Sequence, residues 1–385
     1  MRLKGQIIIL FFVAFALTGC GSKNSPDPVQ FAHLAPRSGA DKAIGEHAEH
    51  GILLAVEEAN QAEGQVAGRS VAVLHGDTRN DPKVIQSEAV RFITINRVAG
   101  LLGGPSTEEA EPLARVARQT VPLVTPAGLS KRQINPYVFS LGLSPAAEGQ
   151  ALARFASGEP VNAARTAVLI NARNDFSTAV AAAFVETLRK EKGSIVKEWP
   201  YDKESELRDV ARSIAADKPG AVVLAAAARD ISKLVQELRQ AGLDAKTPLF
   251  FGGEEATGRG GATVPLPLDP GFVGDIYLAT VYFDGVKNAR LDEFANKYRE
   301  RFASAPDIHA VQAYDAARML FDACRRAKAF QGPKIRDELA QLGTFESLTG
   351  TLSFDKEQAV RRPVYIVRMT KGRLELIRSF EPDPK

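Results

Sequence analysis

Residues 31–35, FAHLA, and residues 46–61, EHAEHGILLAVEEANQ, decide the fold of this chain. The first stretch is a short apolar run, and the second places Ile52, Ala55 and Ala59 on one stripe at helical spacing. A short apolar strand followed by an amphipathic helix is the repeating unit of parallel sheets whose faces are covered by helices. The sequence therefore predicts an α/β fold.

The same alternation continues downstream in two series, the second of which starts at Ala146. Apolar runs predict strands at residues 71–74, 98–102, 121–124, 166–170, 195–199, 221–224, 249–251, 276–280, 352–354, 363–369 and 374–380. Segments of helical period predict helices at residues 108–119, 176–191, 207–216, 229–241, 292–302, 310–324 and 334–342. Asp81 and Pro82 predict the start of another helix, with a capping carboxylate followed by proline.

Size and composition are those of a globular protein with more than one core. The chain has 385 residues, of which 45% are apolar and 25% charged, and this excludes a disordered or fibrous protein. The 49 basic and 46 acidic residues are scattered, so no basic stripe indicates a nucleic-acid partner. Cys20 and Cys324 are the two cysteines.

Residues 1–19 are typical of a secretory signal, with Arg2 and Lys4 ahead of an apolar run that ends at Leu17. That run is too short to span a bilayer of about 30 Å. The sequence Leu-Thr-Gly-Cys at 17–20 is similar to the bacterial lipobox, which predicts lipidation of Cys20, a tether over residues 20–29 and a lipid-anchored protein facing the periplasm or cell exterior. Lipidation would leave Cys324 without a disulfide mate; the alternative is an ordinary secretory signal with a coincidental cysteine.

Seven stretches in a fixed order carry a resemblance to a known family. They are APRSG at 35–39, GILLAVEEAN at 51–60, DTRNDP at 77–82, GGPST at 103–107, VPLVTPA at 121–127, LRQAGL at 238–243 and AYDA at 313–316. From Gln30 to about Met369 the chain resembles the type I periplasmic binding proteins, and within them the leucine/isoleucine/valine-binding family that serves ABC importers.

That resemblance implies two doubly wound parallel-sheet lobes, joined by a three-segment hinge and closing around a ligand. Lobe one would hold residues 28–145 plus 274–355, and lobe two residues 146–273 plus 356–385. Ligands of such open sheets bind beyond the carboxyl ends of the strands.

Ser106 follows a predicted strand and the pair Gly103-Gly104, and the sequence STEE at 106–109 predicts a capping box. The simpler interpretation is that Ser106 only caps this helix. The resemblance implies more: Ser106, Thr107 and the free N–H groups of the first turn receive a ligand carboxylate. It also implies that the backbone at Ala127 and Gly128 holds the head of an amino-acid ligand.

The resemblance places two further residues at the cleft from lobe two. Glu254 matches the carboxylate that pairs with the α-ammonium of the ligand, and Phe176 stands where the family commonly has a tyrosine. The alternative for Glu254 is a solvated loop residue next to Glu255.

Three positions depart from the family pattern. Leu129 replaces a threonine that hydrogen-bonds the ligand, and Ala227 and Ile44 replace aromatic residues of the pocket. Polar and aromatic groups have thus given way to aliphatic ones. A branched-chain amino acid, another amino acid, an amide and an aromatic acid all stay open as ligands.

Other patterns indicate neither catalysis nor a cofactor. His47 and His50 lie three apart without the His-Glu-x-x-His motif, so we expect a solvated helix face and no metal. The pairs Arg325-Arg326 and Arg361-Arg362 are expected at the surface. The sequence thus predicts a non-enzymatic solute-binding lipoprotein that delivers its ligand to an ABC importer permease, with a ligand sensor and an envelope-protein interaction lipoprotein as alternatives.

Overall fold

The structure is a computed structural model, and it describes residues 27–118, 120–129, 135–158, 161, 165–171, 174–226, 228–252, 274–283, 285–355, 358, 360–370 and 373–381. Its elements follow one another in the order β1 (Val29–Ala35), α1 (Lys42–Gln61), β2 (Val71–Asp77), α2 (Pro82–Thr94), β3 (Leu101–Gly103), α3 (Thr107–Ala117), β4 (Leu123–Thr125), β5 (Val138–Ser140), α4 (Pro145–Ser157), β6 (Arg165–Asn171), α5 (Asp175–Lys190), β7 (Ser194–Tyr201), α6 (Leu207–Ala216), β8 (Ala221–Ala225), α7 (Ala228–Gln240), β9 (Leu249–Gly252), β10 (Ile276–Thr280), α8 (Ala289–Phe302), α9 (Ile308–Ala327), α10 (Gly332–Ala340), β11 (Phe345–Ser347), β12 (Gly350–Phe354), β13 (Val360–Arg361), β14 (Val364–Thr370) and β15 (Arg373–Phe380). Within these ranges, no helix combines the length and the apolar character needed to cross a membrane.

The first lobe is built on a parallel sheet of five strands in the order β2-β1-β3-β4-β5. Helix α2 begins as predicted, because the Asp81 carboxylate accepts a hydrogen bond from the Lys83 amide at 2.7 Å and Pro82 occupies the first turn. Helix α1 packs against α9 so closely that a Cβ atom on Gly51 would come within 2.1 Å of the Ala310 carbonyl oxygen. Only glycine fits at that position.

The second lobe is built on a sheet of seven strands in the order β15-β14-β10-β9-β8-β6-β7. Strands β10, β9, β8, β6 and β7 run parallel, whereas β14 and β15 pair antiparallel at one edge. The hairpin predicted for the last two strands is confirmed by the pairing of β14 with β15, and its turn residues, Lys371 and Gly372, lie outside the described residues.

A small antiparallel sheet, β11-β12-β13, belongs with the first lobe. Phe354 on β12 packs edge-to-face on Phe139 of β5 with 5.7 Å between ring centroids, and the Leu348 amide donates to Asp315 of α9 at 2.9 Å. The chain therefore passes between the lobes at residues 141–144, at 281–283 with 285–288, and at 362–363, which we call the first, second and third crossovers.

Two predicted boundaries of the lobes are wrong. Strand β10 pairs with β9 and β14, so the chain leaves the second lobe after Thr280 and not at Gly274. Strand β13 pairs with β12, so the chain stays with the first lobe beyond Asp355 and re-enters the seven-stranded sheet only at Val364. Both boundaries depend on which strands pair with each other in a sheet, and apolar runs along the chain do not predict strand pairing.

Candidate functional site

The carboxyl ends of β1, β3 and β4 lie side by side in the first sheet, and the candidate site is built from the loops that follow them. Gly103 and Gly104 end β3 with φ angles of 118° and 68°, and a Cβ atom on Gly103 would come within 2.0 Å of the Leu34 carbonyl oxygen. This tight turn needs glycine and delivers Ser106 to the start of α3.

Ser106 caps α3 as predicted: its Oγ accepts a hydrogen bond from the Glu109 amide at 3.3 Å. A full capping box would also have the Glu109 carboxylate accept from the Ser106 amide, and the cap of α3 consists of the Ser106 contact alone. The half-buried Ser106 thus stands beside first-turn N–H groups of an eleven-residue helix, which carry partial positive charge.

Thr107 joins this turn to the loop after β4, since its Oγ1 donates to the Gly128 carbonyl at 3.0 Å. Ala127, one residue earlier, is buried; its amide donates to Thr125 Oγ1 at 3.2 Å, and its carbonyl accepts from Ser140 Oγ at 2.5 Å. The loop is therefore fixed from inside the lobe before any ligand arrives. A carbonyl oxygen keeps a second lone pair for a further donor.

Leu129 is also buried, and it packs in the apolar cluster that holds Leu113 and Val138. An aliphatic side chain at this position therefore contributes to the core of the first lobe. Ile44 lies half-buried in the first turn of α1, at the same edge of the sheet as Ser106.

Phe176 is the residue of the second lobe that contacts the candidate site. It lies in the first turn of α5, where the side chain of Asn174 caps the helix by accepting from the Ser177 amide at 2.8 Å. A Cβ atom on Gly128 would lie 3.2 Å from Phe176 Cε2, so the ring packs against that glycine. The structure thus brings together Ser106, Thr107, Ala127 and Gly128 from one lobe and Phe176 from the other. Cys20, Ala227 and Glu254 lie outside the described residues, and their roles stay predictions.

A narrow apolar cavity of about 10 Å³ lies directly behind the loops, with Pro105 and Pro126 in its wall. Small residues of α1 and α9 close it, among them Ala48 and Ala313. Such a volume holds about one water molecule, and the lining is mostly apolar, with His33 and His309 as its two ring-nitrogen residues. The wall behind the site is accordingly closely packed.

Glu109 lies in this region and is a buried acid, which the sequence did not predict. Its side chain is 5% exposed, and burial raises its pKa to about 8, an effect reinforced by the charges of Asp41, Asp77 and Glu108. Thr78 is close enough to act on the carboxyl group, yet neither Thr78 Oγ1 nor Glu109 Oε2 completes a hydrogen bond of normal geometry. Adjacent glutamates in a first helical turn are ordinarily exposed, so no sequence signal pointed to burial.

The expectation of a solvated face for His47 and His50 is wrong. His47 Nδ1 lies 3.1 Å from Asp307 Oδ2, and His50 stacks on Phe302 with 3.9 Å between ring centroids. Helices α8 and α9 cover this side of α1, which the helical period alone did not reveal. In the part of the chain that the structure describes, no group of three or more His, Cys, Asp or Glu side chains is arranged to hold a metal ion.

Arg362, expected at the surface, is 5% exposed and forms the third crossover together with Pro363. Basic pairs are ordinarily exposed because burying a charge is costly unless it is paired. One acceptor of this guanidinium, the Leu141 carbonyl, lies 221 positions earlier in the chain, and the other, Thr349 Oγ1, lies 13 positions earlier.

Comparison with known proteins agrees with this architecture. A family model described as periplasmic binding protein matches residues 28–373. The Leu/Ile/Val-binding protein homolog 7 of Brucella suis biovar 1 (strain 1330) is 25% identical over 369 residues, which cover 86% of this chain and 85% of that protein.

Two solved structures share the fold. The leucine-binding protein LivK of Thermotoga maritima MSB8 superposes with a TM-score of 0.80 at 23% identity, covering 92% of this chain and 99% of that one. A solute-binding protein of an ABC transporter from Rhodopseudomonas palustris BisB5, in complex with 3,4-dihydroxybenzoic acid, gives a TM-score of 0.73 at 20% identity, covering 92% of this chain and 98% of that one. The predicted two-lobed fold is confirmed.

Proposed function

The chain belongs to the periplasmic binding protein family, and we propose that it is an extracytoplasmic solute-binding lipoprotein of an ABC importer. It captures a small amino-acid-like ligand between the lobes, presents the closed form to the permease, and performs no chemistry. The observation that supports this proposal is the contact between Gly128 of the first lobe and Phe176 of the second, beside the first turn of α3.

The carboxylate of the ligand would bind Ser106 Oγ and the N–H groups of the first turn of α3, because unpaired donors and the helix dipole favour an anion there. Glu254 would pair with its ammonium group. A charge-assisted hydrogen bond of this kind contributes about 1.5–3 kcal/mol when the lobes shield it from water.

A branched-chain or related apolar amino acid, or its amide, is the ligand class we favour. The names of the Brucella and Thermotoga relatives support it. The Rhodopseudomonas protein was solved with an aromatic acid, which shares only the carboxylate with the amino acids of this class. An aromatic acid is therefore the competing ligand class, and it would need no partner at Glu254.

Thermal-shift measurements separate these classes. A ligand at a hundred times its dissociation constant adds about 2.7 kcal/mol of stability, and this raises the melting temperature visibly. The panel is leucine, isoleucine, valine, leucinamide and 3,4-dihydroxybenzoate, and native mass spectrometry of gently purified protein reports any solute already bound. No shift and no trapped mass would contradict solute binding and favour an interaction lipoprotein.

Glu254→Ala tests the ammonium pair. We expect at least tenfold weaker binding of an amino acid, while Glu255→Ala, the matched control, leaves affinity unchanged. Equal affinities of wild type and Glu254→Ala would remove Glu254 from the site.

The lipid anchor needs its own test. Cys20→Ala should abolish incorporation of labelled palmitate and move the protein from the membrane fraction to the soluble fraction, with Cys324→Ala as control. Retention of label by Cys20→Ala would contradict lipidation.

A further inference from the structure

Arg362 links the third crossover to the first. Its Nη1 donates to the Leu141 carbonyl and its Nη2 to Thr349 Oγ1, both at 2.5 Å. Leu141 begins the first crossover, and Thr349 lies between β11 and β12 of the small sheet. One buried guanidinium therefore binds two segments more than 200 positions apart.

The surrounding groups balance its charge. Asp315, fully buried on α9, accepts from Arg318 Nη1 at 3.1 Å and from the Leu348 amide at 2.9 Å, and its negative charge acts on Arg362. Burial raises the pKa of Asp315 to about 6 and lowers that of Arg362 to about 10. Removing Asp315 would leave the buried Arg362 poorly compensated, whereas removing Arg362 leaves Asp315 with Arg318 as its partner.

The second crossover touches the same cluster. Tyr365, three residues after Arg362, donates its hydroxyl to the Thr349 carbonyl at 2.9 Å and packs edge-to-face on Phe283 with 5.6 Å between ring centroids. Phe283 belongs to the second crossover. All three crossovers are thus joined by one set of contacts: Arg362 binds Leu141 of the first crossover and Thr349, and Tyr365 binds Thr349 and packs on Phe283 of the second.

The first crossover leads directly to the candidate site. The Leu141 amide donates to the Thr125 carbonyl at 2.8 Å. A Cβ atom on Gly142 would come within 2.4 Å of both the Gly128 amide and the Pro126 carbonyl oxygen. The backbone at 141–142 therefore lies in van der Waals contact with the loop at 126–128.

We propose that Arg362 is a positioning residue for ligand binding: through Leu141 it holds the first crossover against residues 126–128 and so couples the hinge to the backbone that receives the ligand. The inference rests on the proposed function for the role of that loop. Arg362 touches no ligand in this mechanism.

The physical basis is the cost of an unsatisfied buried cation. Lobe motion that pulled Leu141 away would leave Nη1 without an acceptor inside the protein, so the hinge favours arrangements in which the contact survives. The loop at 126–128 then keeps its geometry while the lobes open and close.

Hydrogen exchange of the ligand-free protein tests this directly. In Arg362→Met we expect amides at 126–129 and 141–143 to exchange at least tenfold faster, while those of β8 exchange at the wild-type rate. Arg362→Lys keeps the charge but loses the planar fork, so we expect a smaller increase at the same amides. The control Arg326→Met removes a half-exposed cation of α9 and should change neither region.

Binding of leucine and of 3,4-dihydroxybenzoate, measured by calorimetry, is the second readout. If wild type binds either probe, Arg362→Met should weaken it about tenfold and Arg326→Met should not. If wild type binds neither, the proposed ligand classes fail, while the exchange experiment still decides the role of Arg362.

Unchanged exchange at 126–129, or an equal increase throughout the protein, would overturn the proposal. Should Arg362→Met lack a cooperative melt, Arg362→Lys and Thr349→Val decide it, because each removes part of the same contact. Faster exchange confined to the two segments supports the role, and wild-type exchange in both variants refutes it.

Discussion

The carbonyl oxygen of Leu143 lies directly against Gly128, so that a Cβ atom on this glycine would come within 1.8 Å of it. The first crossover and the loop after β4 thus pack backbone on backbone. No side chain lies between the first crossover and the loop after β4 where Leu143 contacts Gly128.

Gly128→Ala should therefore displace Leu143 or the ring of Phe176. Overpacking of this kind costs about 1–3 kcal/mol, which chemical denaturation would detect. Gly343→Ala is the matched control, because a Cβ atom there meets nothing within 4 Å, and its effect should stay within about 0.5 kcal/mol. Equal stability of the two variants would contradict the packing.

Glu109→Gln should change how stability depends on pH. The pKa of Glu109 is about 4.5 in the unfolded chain and is raised to about 8 in the folded protein. Between these pH values the folded protein keeps a proton that the unfolded chain has released, so the free energy of unfolding of the wild type falls as pH rises from about 4.5 to 8. At 1.36 kcal/mol per pKa unit, the variant should be more stable than wild type by about 2–5 kcal/mol at pH 9 and nearly equal to it at pH 4.

Urea unfolding at pH 4, 7 and 9 measures this difference, with the exposed Glu108→Gln as control. Parallel pH profiles for Glu109→Gln and wild type would show that Glu109 is ionised in the folded protein at neutral pH.

Ser106→Ala removes a helix cap and a proposed ligand contact together. Loss of the cap costs about 1 kcal/mol of folding stability. Asp81→Ala removes the cap of α2, a helix with no proposed ligand contact, and should cost a similar amount while leaving ligand affinity unchanged. Ser106→Ala should in addition weaken binding, though by less than Glu254→Ala, since the backbone donors remain.

Four of the five histidines should titrate in two groups. Asp307, whose Oδ2 lies 3.1 Å from His47 Nδ1, raises the pKa of His47 above the ordinary 6.5, whereas burial lowers the pKa values of His33, His50 and His75. The stability that His47 contributes is present below pH 6.5 and is lost as pH rises through its folded pKa. Proton NMR of the ring resonances measures this, and Asp307→Asn should bring the His47 pKa down. A His47 pKa unmoved by that change would exclude the pair.

Most strands and helices could be predicted because each carries its own signal along the chain. The run at 221–224 and the stripe at 229–241 correspond closely to β8 and α7. Strands β5, β11 and β13 were missed, since two or three residues are too few to show a period. Helix α1 starts four residues before its predicted start, at Lys42.

The contacts of buried charges could not be predicted. Arg362 has the same local surroundings as any exposed basic pair, and its acceptors, Leu141 and Thr349, become neighbours only when the end of β5 and the small sheet pack together in the first lobe. The same holds for Glu109, whose burial depends on the loops after β1 and β2. For the candidate site, the family resemblance supplied Phe176 and Gly128, and the structure supplied their contact.

Because the chain passes three times between the lobes, neither lobe is a continuous segment. Tyr314 of α9 bonds Glu58 of α1, 256 positions earlier, so a ribosome must deliver most of the polypeptide before the amino-terminal half can finish folding. If residues 1–19 act as a secretory signal, this delay keeps the polypeptide loose enough to be threaded across a membrane. A protease that nicks one crossover would, by the same reasoning, release neither half.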